Sequence, residues 1–224
     1  MLAMNMAILC ASCATVNKVS LLDPQLSQFE NVYPFGNATM VDGELHLQSE
    51  SNWFLTTRKT YQDFILTAEI KMPDVTEYSN SGFIFRGQIR DLDQGKVVVG
   101  YQAEVDPSPR RWSGGLFDQG RRQWLHPEHP VRSNRDKDFI KSYIANWNEE
   151  LASTFKANAW NHYRIECRGT EIKITVNGIL TTHIIDRKDS KGVIGLQHHG
   201  SKQLRETGKS DNIVRFRNIY IVEL

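Results

Sequence analysis

The feature that most constrains the fold is an alternation of apolar and polar residues in short segments that are separated by turn-forming residues. In residues 64–71 every second residue is apolar, which places one face of a strand on a core and the other nearer water. Residues 172–176 repeat this pattern and lead into Asn177-Gly178, a dipeptide typical of the tight turn of a β-hairpin. The pattern predicts a chain dominated by antiparallel strands.

The same criteria predict further strands at residues 97–106, 179–184, 193–198 and 213–222, and no strand–helix–strand alternation is present. In residues 139–151, however, apolar residues recur every three or four positions, which predicts an amphipathic helix. This helix would lie in a polar connection that begins near His126. It would be either a lid over a site or a cover for an open end of the sheet, and the second alternative is slightly favoured.

Composition limits the architecture and the partners. The chain has 224 residues, with 27 Lys and Arg against 26 Asp and Glu. A formal charge of +1 provides no basic surface for nucleic acid. Many strands and little helix predict an all-β fold of two packed antiparallel sheets, a sandwich or jelly roll with a short helical insertion. We expect one such domain over residues 25–224.

The amino terminus reads MLAMNMAILCASCATV, an apolar run too short to span a bilayer. Its Ala11-Ser12 step directly before Cys13 resembles a bacterial lipoprotein signal. The alternative is an N-terminal tail of a cytosolic protein. On the favoured interpretation residues 1–24 are a signal and a tether, and Cys13 carries a lipid that is the chain's contact with a membrane. The protein would then be exported, as a periplasmic or outer-membrane lipoprotein.

The strand at residues 97–106 carries a row of polar side chains. Because side chains alternate along a strand, Gln102, Glu104 and Asp106 share one face. Neighbours on one face stand roughly 7 Å apart, so Glu104 and Asp106 could contact one small ligand together. Repulsion between two carboxylates raises the pKa of one of them, which is one route to a base that works near neutral pH. The alternative is a solvated face whose acids pair with arginine.

The loop after this strand favours a ligand site. Residues 106–125 place around Gly114-Gly115 a set of cationic and aromatic residues, namely Arg110, Arg111, Arg121, Arg122, Trp112 and Trp124. Sugar rings stack on tryptophan, and arginine and carboxylate groups bind hydroxyls. The mixture therefore favours a carbohydrate site, and the motifs of phosphate loops and of zinc sites do not occur in the sequence.

Residues 29–224 resemble the 3-keto-disaccharide hydrolase family, whose members adopt the concanavalin A-like lectin/glucanase sandwich. The resemblance depends on motifs in a fixed order: TYQDFILTAEIKM, NSGFIFRGQ, GYQAEVDPSPRRWSGGLFDQGRRQWL, WNHYRIECRGTEIKITVNG, GVIGLQHHG and VRFRNIYIVEL. It implies an exported bacterial enzyme that cleaves glycosides already oxidised to a ketone at carbon 3. An oxidoreductase that introduces this ketone is implied as a partner upstream.

The chemistry of such a substrate suggests roles for particular residues. A ketone at carbon 3 acidifies the proton on carbon 2, so a base can remove it, and the group on carbon 1 then leaves by β-elimination before water adds. We expect Glu104 to be the base and Asp106 to orient a hydroxyl. Arg86, predicted to share a face with Ile84 and Gln88, would neutralise the enolate or, equally well, pair with Glu104 as a structural ion pair. His199 would protonate the leaving group.

The remaining candidates would bind the substrate. They are Gln102, Arg110, Arg111, Trp112, Arg122, Trp124, Gln197 and His198, where the two tryptophans are stacking platforms or, equally well, core. Alternation places Gln197 and His199 on one face of their strand and His198 on the other. No cofactor is required by the sequence, although the oxygens of Glu104 and Asp106 could hold a divalent metal ion.

Two other functions fit the same features. The first is a non-catalytic, lectin-like carbohydrate-binding module, because one fold serves both purposes. The second is a laminarinase-type endoglycosidase, which is weaker because such enzymes place their acids in a Glu-x-Asp-x-Glu strand. In this sequence Asp106 is followed by Pro107, Ser108, Pro109 and Arg110.

Overall fold

The computed structural model describes residues 17–93 and 95–224, and within them nearly all regular structure is β-strand. In chain order the strands are β1 (Lys18–Ser20), β2 (Phe29–Asn31), β3 (Asn37–Val41), β4 (Glu44–Gln48), β5 (Trp53–Tyr61), β6 (Phe64–Lys71), β7 (Ser81–Leu92), β8 (Gly95–Val105), β9 (Leu116–Gln119), β10 (Gln123–His126), β11 (Phe139–Ser142), β12 (Asn161–Arg168), β13 (Glu171–Val176), β14 (Ile179–Asp186), β15 (Gly192–His198) and β16 (Val214–Glu223). Two short helices, α1 (Glu149–Ala152) and α2 (Lys202–Thr207), complete the described elements.

The described strands form two antiparallel sheets, which confirms the predicted sandwich. One sheet has the order β11-β14-β13-β12-β6-β16-β4-β3, with β1 also paired to β16. The other has the order β10-β9-β8-β7-β15-β5-β2. The core lies between them and takes alternate residues from each strand, such as Leu66 and Ala68 of β6 and Tyr101 and Ala103 of β8, all at most 1% exposed. Burial of this apolar surface is the main force holding the sheets together.

The predicted helix over residues 139–151 is wrong. Residues 139–142 form β11, an edge strand that pairs with β14, and only residues 149–152 are helical. The spacing of the apolar residues fits a helix, but Ile140 and Tyr143 are half exposed and no helical face is buried. The side chain of Asn148 caps α1 by accepting a hydrogen bond from the amide of Leu151, so the helix begins ten residues later than predicted.

The sheet begins earlier than the predicted domain boundary at residue 25. Lys18–Ser20 pairs with β16 at the register Lys18 to Val222, and Leu21 is fully buried in the core. Residues 18–24, which the sequence assigned to a tether, therefore include a strand of the sheet. Cys13 and the rest of the predicted signal lie outside the described residues. Neither helix in residues 17–93 and 95–224 has the length and apolar composition that crossing a membrane requires.

Candidate functional site

A cavity of about 440 Å³ lies on the face of the seven-stranded sheet that points away from the core. Strands β8, β9, β10 and β15 and the ends of their loops line it. The lining residues are Asn52, Tyr78, Asn80, Gln102, Glu104, Arg110, Phe117, Gln119, Gly120, Gln123, Trp124, Arg132, Gln197 and His199. Six residues that the sequence singled out therefore meet here: Gln102, Glu104, Arg110, Trp124, Gln197 and His199.

Glu104 is a buried carboxylate that is held by amides. Its Oε1 accepts a hydrogen bond of 2.9 Å from Nδ2 of Asn80, and its Oε2 accepts one of 2.9 Å from Nε2 of Gln102. Among the described residues no lysine, arginine or histidine forms an ion pair with it. Burial raises the pKa of Glu104 to about 8, and the negative charge of Asp106 adds to this effect. The hydrogen bond from Asn80 lowers the pKa and offsets the effect of burial only in part.

The amide of Gln102 continues into a chain of amides. Its Nε2 also donates to Oε1 of Gln197 at 2.9 Å, and Nε2 of Gln197 donates to Oδ1 of Asn52 at 2.8 Å. Two amides therefore bind the carboxylate directly, and the amides of Gln197 and Asn52 continue the chain from Gln102. Such a network fixes the position of Glu104 because each side chain has a neighbour that restricts its rotation.

Two acceptors in this network have no partner. Asn80 Oδ1 and Gln102 Oε1 are buried and make no hydrogen bond in the described structure, while both residues line the cavity. A buried acceptor without a donor costs about 1–3 kcal/mol. A ligand with hydroxyl groups would supply the missing donors, so the lining is suited to a sugar or another polyol.

Asp106 lies outside the cavity lining and binds one of the lining residues, Arg110. It is fully buried, and its Oδ2 accepts a hydrogen bond of 2.8 Å from Nε of Arg110. Arg110 in turn lies over the ring of Trp124, with 5.7 Å from the guanidinium carbon to the ring centre. Asp106 does not line the cavity, so its direct contact with a ligand, expected from the sequence, gives way to a role in orienting Arg110.

His199 and Tyr78 stand together at the mouth of the cavity. Their rings meet edge to face with 5.3 Å between centres. Desolvation by the neighbouring groups, with the charge of Arg110, lowers the pKa of His199 below its usual 6.5, so the ring is mostly neutral at pH 7. Desolvation also raises the pKa of Tyr78, and the charges of Asp106 and Glu104 add to this effect.

Trp124 forms part of the cavity wall. Trp124 is 1% exposed and lies edge to face between Trp112 and Phe117, at 4.7 and 5.2 Å between ring centres. Trp112 does not line the cavity. Because the ring of Trp124 is covered, it cannot serve as the stacking platform that the sequence suggested. The accessible aromatic surface belongs to Tyr78 and Phe117.

Arg86 does not reach the cavity, contrary to the alternation-based prediction. The register of β7 and β8 shifts between Phe85 and Gln88, and Arg86 adopts a positive φ of 47°. This bulge interrupts the alternation of side chains along β7, so residues beyond it no longer lie on the face that strict alternation predicts. The buried guanidinium donates to the carbonyl oxygens of Gln62 and Gly169 and pairs with Asp63 at 3.0 Å. Arg86 therefore joins loops of the two sheets and neither pairs with Glu104 nor faces a substrate.

Three other predicted binding residues lie elsewhere. Arg111 pairs with Glu149 at 2.8 Å on the surface. Arg122 is buried among Asp118, Asp136 and Asp186, all within ion-pair distance. His198, on the opposite face from His199 as expected, donates from Nε2 to the carbonyl oxygen of Asn212 at 2.9 Å. Each is held in place by protein partners.

Asn52, Tyr78 and Asn80 also line the cavity, although no pattern in the sequence marks them as site residues. Asn80 opens the NSGFIFRGQ motif, but a single asparagine before a strand is normally a turn residue.

Residues 17–93 and 95–224 contain no group of three or more His, Cys, Asp and Glu side chains placed to hold a metal ion. The oxygens of Glu104 face amide donors and Asp106 faces Arg110, so this pair does not form a cation site.

Comparison with known proteins gives a family match. Residues 17–222 match the family described as the 3-keto-alpha-glucoside-1,2-lyase-like domain. A candidate glycosyl hydrolase from Parabacteroides distasonis is similar in structure, with 19% identity, a TM-score of 0.55, and 93% of this chain and 100% of that chain covered. No curated protein matches the chain.

Two solved structures from Bacillus subtilis are also similar. The carbohydrate-binding module CBM66 has 16% identity and a TM-score of 0.56, with 88% of this chain and 96% of that chain covered. A protein of unknown function with a galectin-like fold has 12% identity and a TM-score of 0.57, with 93% and 95% covered. At these identities the likeness confirms the fold and leaves the activity to the residues of the site.

Proposed function

This chain belongs to the family of 3-keto-α-glucoside-1,2-lyase-like domains, which are glycan-active and hydrolase-like, and on that premise we propose that it cleaves glycosides carrying a ketone at carbon 3 of the sugar ring. The observation that carries the proposal is Glu104, a buried carboxylate with a pKa of about 8 at the base of a polar cavity. A carboxylate in this environment is a stronger base than one in water.

The reaction begins with the proton on carbon 2, which the neighbouring ketone acidifies. Glu104 takes this proton, and the electron pair of the C–H bond forms an enolate with the ketone. The enolate then re-forms the ketone as the bond from carbon 1 to the leaving oxygen breaks, so the pair of that bond departs with the leaving group. Addition of water across the new double bond completes a net hydrolysis.

Arg110 replaces Arg86 as the group for the enolate oxygen. It lines the same cavity as Glu104, and Asp106 holds its Nε at 2.8 Å, which leaves its other donors for a ligand. A fixed guanidinium beside a developing negative charge lowers the barrier because it need not reorganise during the step. The proton that Glu104 has taken from carbon 2 is the one available to the leaving oxygen, because the lowered pKa of His199 leaves its ring neutral at pH 7 and able to donate only a hydrogen bond.

The test compares a glucoside oxidised at carbon 3 with its unoxidised parent. We expect release of the leaving group from the oxidised glucoside alone, and a loss of at least about 100-fold in kcat with Glu104→Gln, as for removal of a general base. Glu128→Gln is the matched control, because Glu128 is a surface residue outside the cavity. Absence of release from both glycosides would refute the function, and full activity of Glu104→Gln would refute the role of Glu104.

A second function, a carbohydrate-binding module without activity, is supported by the unpartnered amide oxygens of Asn80 and Gln102. They suit a polyol whether or not a reaction follows. Calorimetry that finds tight binding of an intact, unoxidised glycan with no turnover of any oxidised one would favour this alternative.

Location and partners stay predictions. We propose that the protein is exported and anchored by a lipid on Cys13, and that an oxidoreductase acting at carbon 3 of sugars supplies its substrate. Incorporation of a labelled fatty acid that is lost with Cys13→Ser, and not with Cys10→Ser, would support the anchor. Equal labelling of both variants would contradict it.

A further inference from the structure

Arg132 lines the cavity of Glu104, and the proposed reaction does not use it. Most arginines in the described part of the chain pair with a carboxylate, and the exceptions are Arg90, Arg132 and Arg205. Of these three, Arg132 lines the cavity and the other two do not. A guanidinium that faces a ligand cavity without a carboxylate partner is a candidate for contact with an anionic group of the ligand.

The backbone of Arg132 is held in a defined turn. Nδ1 of His129 accepts hydrogen bonds from the amides of Val131 and Arg132, at 3.2 and 3.1 Å. The carbonyl oxygen of Arg132 accepts one of 2.9 Å from the amide of Trp124 in β10, which is an edge strand of the seven-stranded sheet. Arg132 therefore has a fixed place beside β10, even though its side chain is exposed.

Two residues of the cavity lining orient the guanidinium. Nε of Arg132 donates a hydrogen bond of 2.8 Å to Oε1 of Gln123, and the guanidinium carbon lies 5.7 Å from the centre of the Phe117 ring. Gln123 and Phe117 line the same cavity as Arg132. The two terminal nitrogens of the guanidinium make no hydrogen bond to the described residues. Together they can bind both oxygens of a carboxylate.

The charges around the cavity favour an acidic ligand at neutral pH. Arg110 is balanced by its ion pair with Asp106. Burial raises the pKa of Glu104 to about 8, so most of the carboxyl groups are uncharged at pH 7. Desolvation lowers the pKa of His199 below its usual 6.5, so its ring is mostly neutral. Among the described lining residues, Arg132 therefore carries the positive charge that has no opposite charge beside it.

We propose that Arg132 binds a carboxylate of the substrate, so that the protein prefers acidic 3-keto glycosides to neutral ones. Only β9 separates β10 from β8, the strand of Glu104, and Arg132 reaches over Phe117 of β9. Neighbouring strands lie about 4.8 Å apart, so the bound carboxylate would lie roughly 5–10 Å from Glu104, the width of one sugar ring. It belongs either to the oxidised ring or to the leaving group. This inference rests on the proposed function, because it names the substrate class of the same site.

The experiment uses two pairs of glycosides oxidised at carbon 3, and each pair differs by one carboxylate. Methyl glucuronide against methyl glucoside places the carboxylate on the oxidised ring. The glucoside of glycolic acid against that of ethylene glycol places it on the leaving group. We expect kcat/KM of the acidic member to exceed that of the neutral member at least about tenfold in one pair, the effect of a hydrogen bond to a charged group. Added salt should reduce this preference.

Arg132→Gln should abolish the preference. We expect it to raise KM for the acidic glycoside about tenfold and to leave kcat near the original value, because the ion pair forms equally in the ground state and the transition state. Rates for the neutral glycosides should change little. Arg132→Lys keeps the charge without the planar fork and should give an intermediate KM. Arg90→Gln is the matched control, because Arg90 is exposed, forms no ion pair in the described structure and lies outside the cavity.

The outcomes separate this inference from the proposed function. If the unmodified protein cleaves none of the four glycosides, the proposed function fails. Calorimetry on the unoxidised forms of the two pairs then decides the role of Arg132, which is supported by tighter binding of an acidic member and overturned by equal affinities. If the glycosides are cleaved with equal kcat/KM within both pairs, or if Arg90→Gln removes the preference as fully as Arg132→Gln, the inference is overturned while the proposed function stands.

Discussion

Gly82 and Gln102 occupy adjoining space, because a Cβ atom on Gly82 would lie 2.5 Å from Nε2 of Gln102. Gly82 belongs to β7, which separates β8 from β15 in the sheet. The side chain of Gln102 must cross β7 to reach Gln197, and it does so over the position where any other residue would place a side chain. The amide network around Glu104 thus depends on a glycine that makes no hydrogen bond to it.

Gly82→Ala should therefore reduce activity more than the addition of a single methyl group would suggest. The added methyl group displaces the amide of Gln102, which breaks its bonds to Glu104 and Gln197. We expect a fall in kcat of about 10- to 100-fold, since small misplacements of a reacting group have such effects. Steady-state kinetics on the oxidised glycoside would measure it.

Gly87→Ala on the same strand is the control. Its Cβ would meet Val193 and Val98 at 3.2 Å and touch no amide of the network. It should cost about 1 kcal/mol of stability through tight packing and leave kcat near the original value. Equal kinetic effects of the two substitutions would argue against the network.

Activity should rise with pH. The proposed role of Glu104 as a base requires its ionised form, and its pKa of about 8 places half ionisation above neutral pH. We expect kcat/KM to increase about tenfold per pH unit below pH 8 and then to level off. The profile measured on the free protein and one oxidised glycoside tests this. A decrease over the same range would instead assign Glu104 as an acid.

Glu104→Gln should stabilise the protein at alkaline pH. The folded state holds the proton of Glu104 to about pH 8, and the usual value is 4.5, so between these values the folded state binds more protons than the unfolded state. The stability contribution of protonated Glu104 is complete below about 4.5 and is lost as pH rises to about 8.

A glutamine does not lose a proton, and the free oxygen of Asn80 or Gln102 can accept from its amide after a rotation. Within this window the advantage of the variant should grow by up to about 1.4 kcal/mol per pH unit. Thermal unfolding at several pH values would detect it. A constant difference across the window would contradict the raised pKa.

Arg86→Ala should unfold the protein more readily without a specific kinetic effect. The substitution removes the guanidinium that donates to the carbonyl oxygens of Gln62 and Gly169 and pairs with Asp63, whose carboxylate keeps only the backbone amide of Gly169 as a donor. We expect a loss of about 1–3 kcal/mol in unfolding free energy, as for buried acceptors left without a donor, because Asp63 is 31% exposed and water can solvate its charge. The folded fraction should keep its KM. Arg58→Ala removes an exposed pair with Glu30 and should cost under about 1 kcal/mol.

The sequence predicts well those parts of the structure in which apolar and polar residues repeat with a regular period. Alternation along β8 places Gln102 and Glu104 on one face, and the structure agrees, because nothing interrupts the strand there. The same rule fails for Arg86 because a bulge places two residues, Arg86 and Gly87, opposite the single residue Gly100. The helix prediction fails because pairing with β14 outweighs the spacing of a few half-exposed apolar residues.

The parts that sequence predicts poorly are those brought together from distant loops. Asn52, Tyr78 and Asn80 occupy non-repeating segments, so no pattern in the chain marks their meeting at the cavity. Their role emerges from the sheet order, which places the ends of β5, β7 and β15 next to the end of β8.

Backbone hydrogen bonds also hold Glu104 in its strand. Its backbone amide donates to the carbonyl oxygen of Gly115 at 3.0 Å, and its carbonyl oxygen accepts from Gly114 and from the hydroxyl of Tyr163. Amides this deep in a sheet exchange their hydrogen with solvent only when the whole fold opens, whereas loops exchange through small local openings. Small local openings are therefore expected in the loops before β5 and β7 and after β15, while Glu104 keeps one fixed position in its strand.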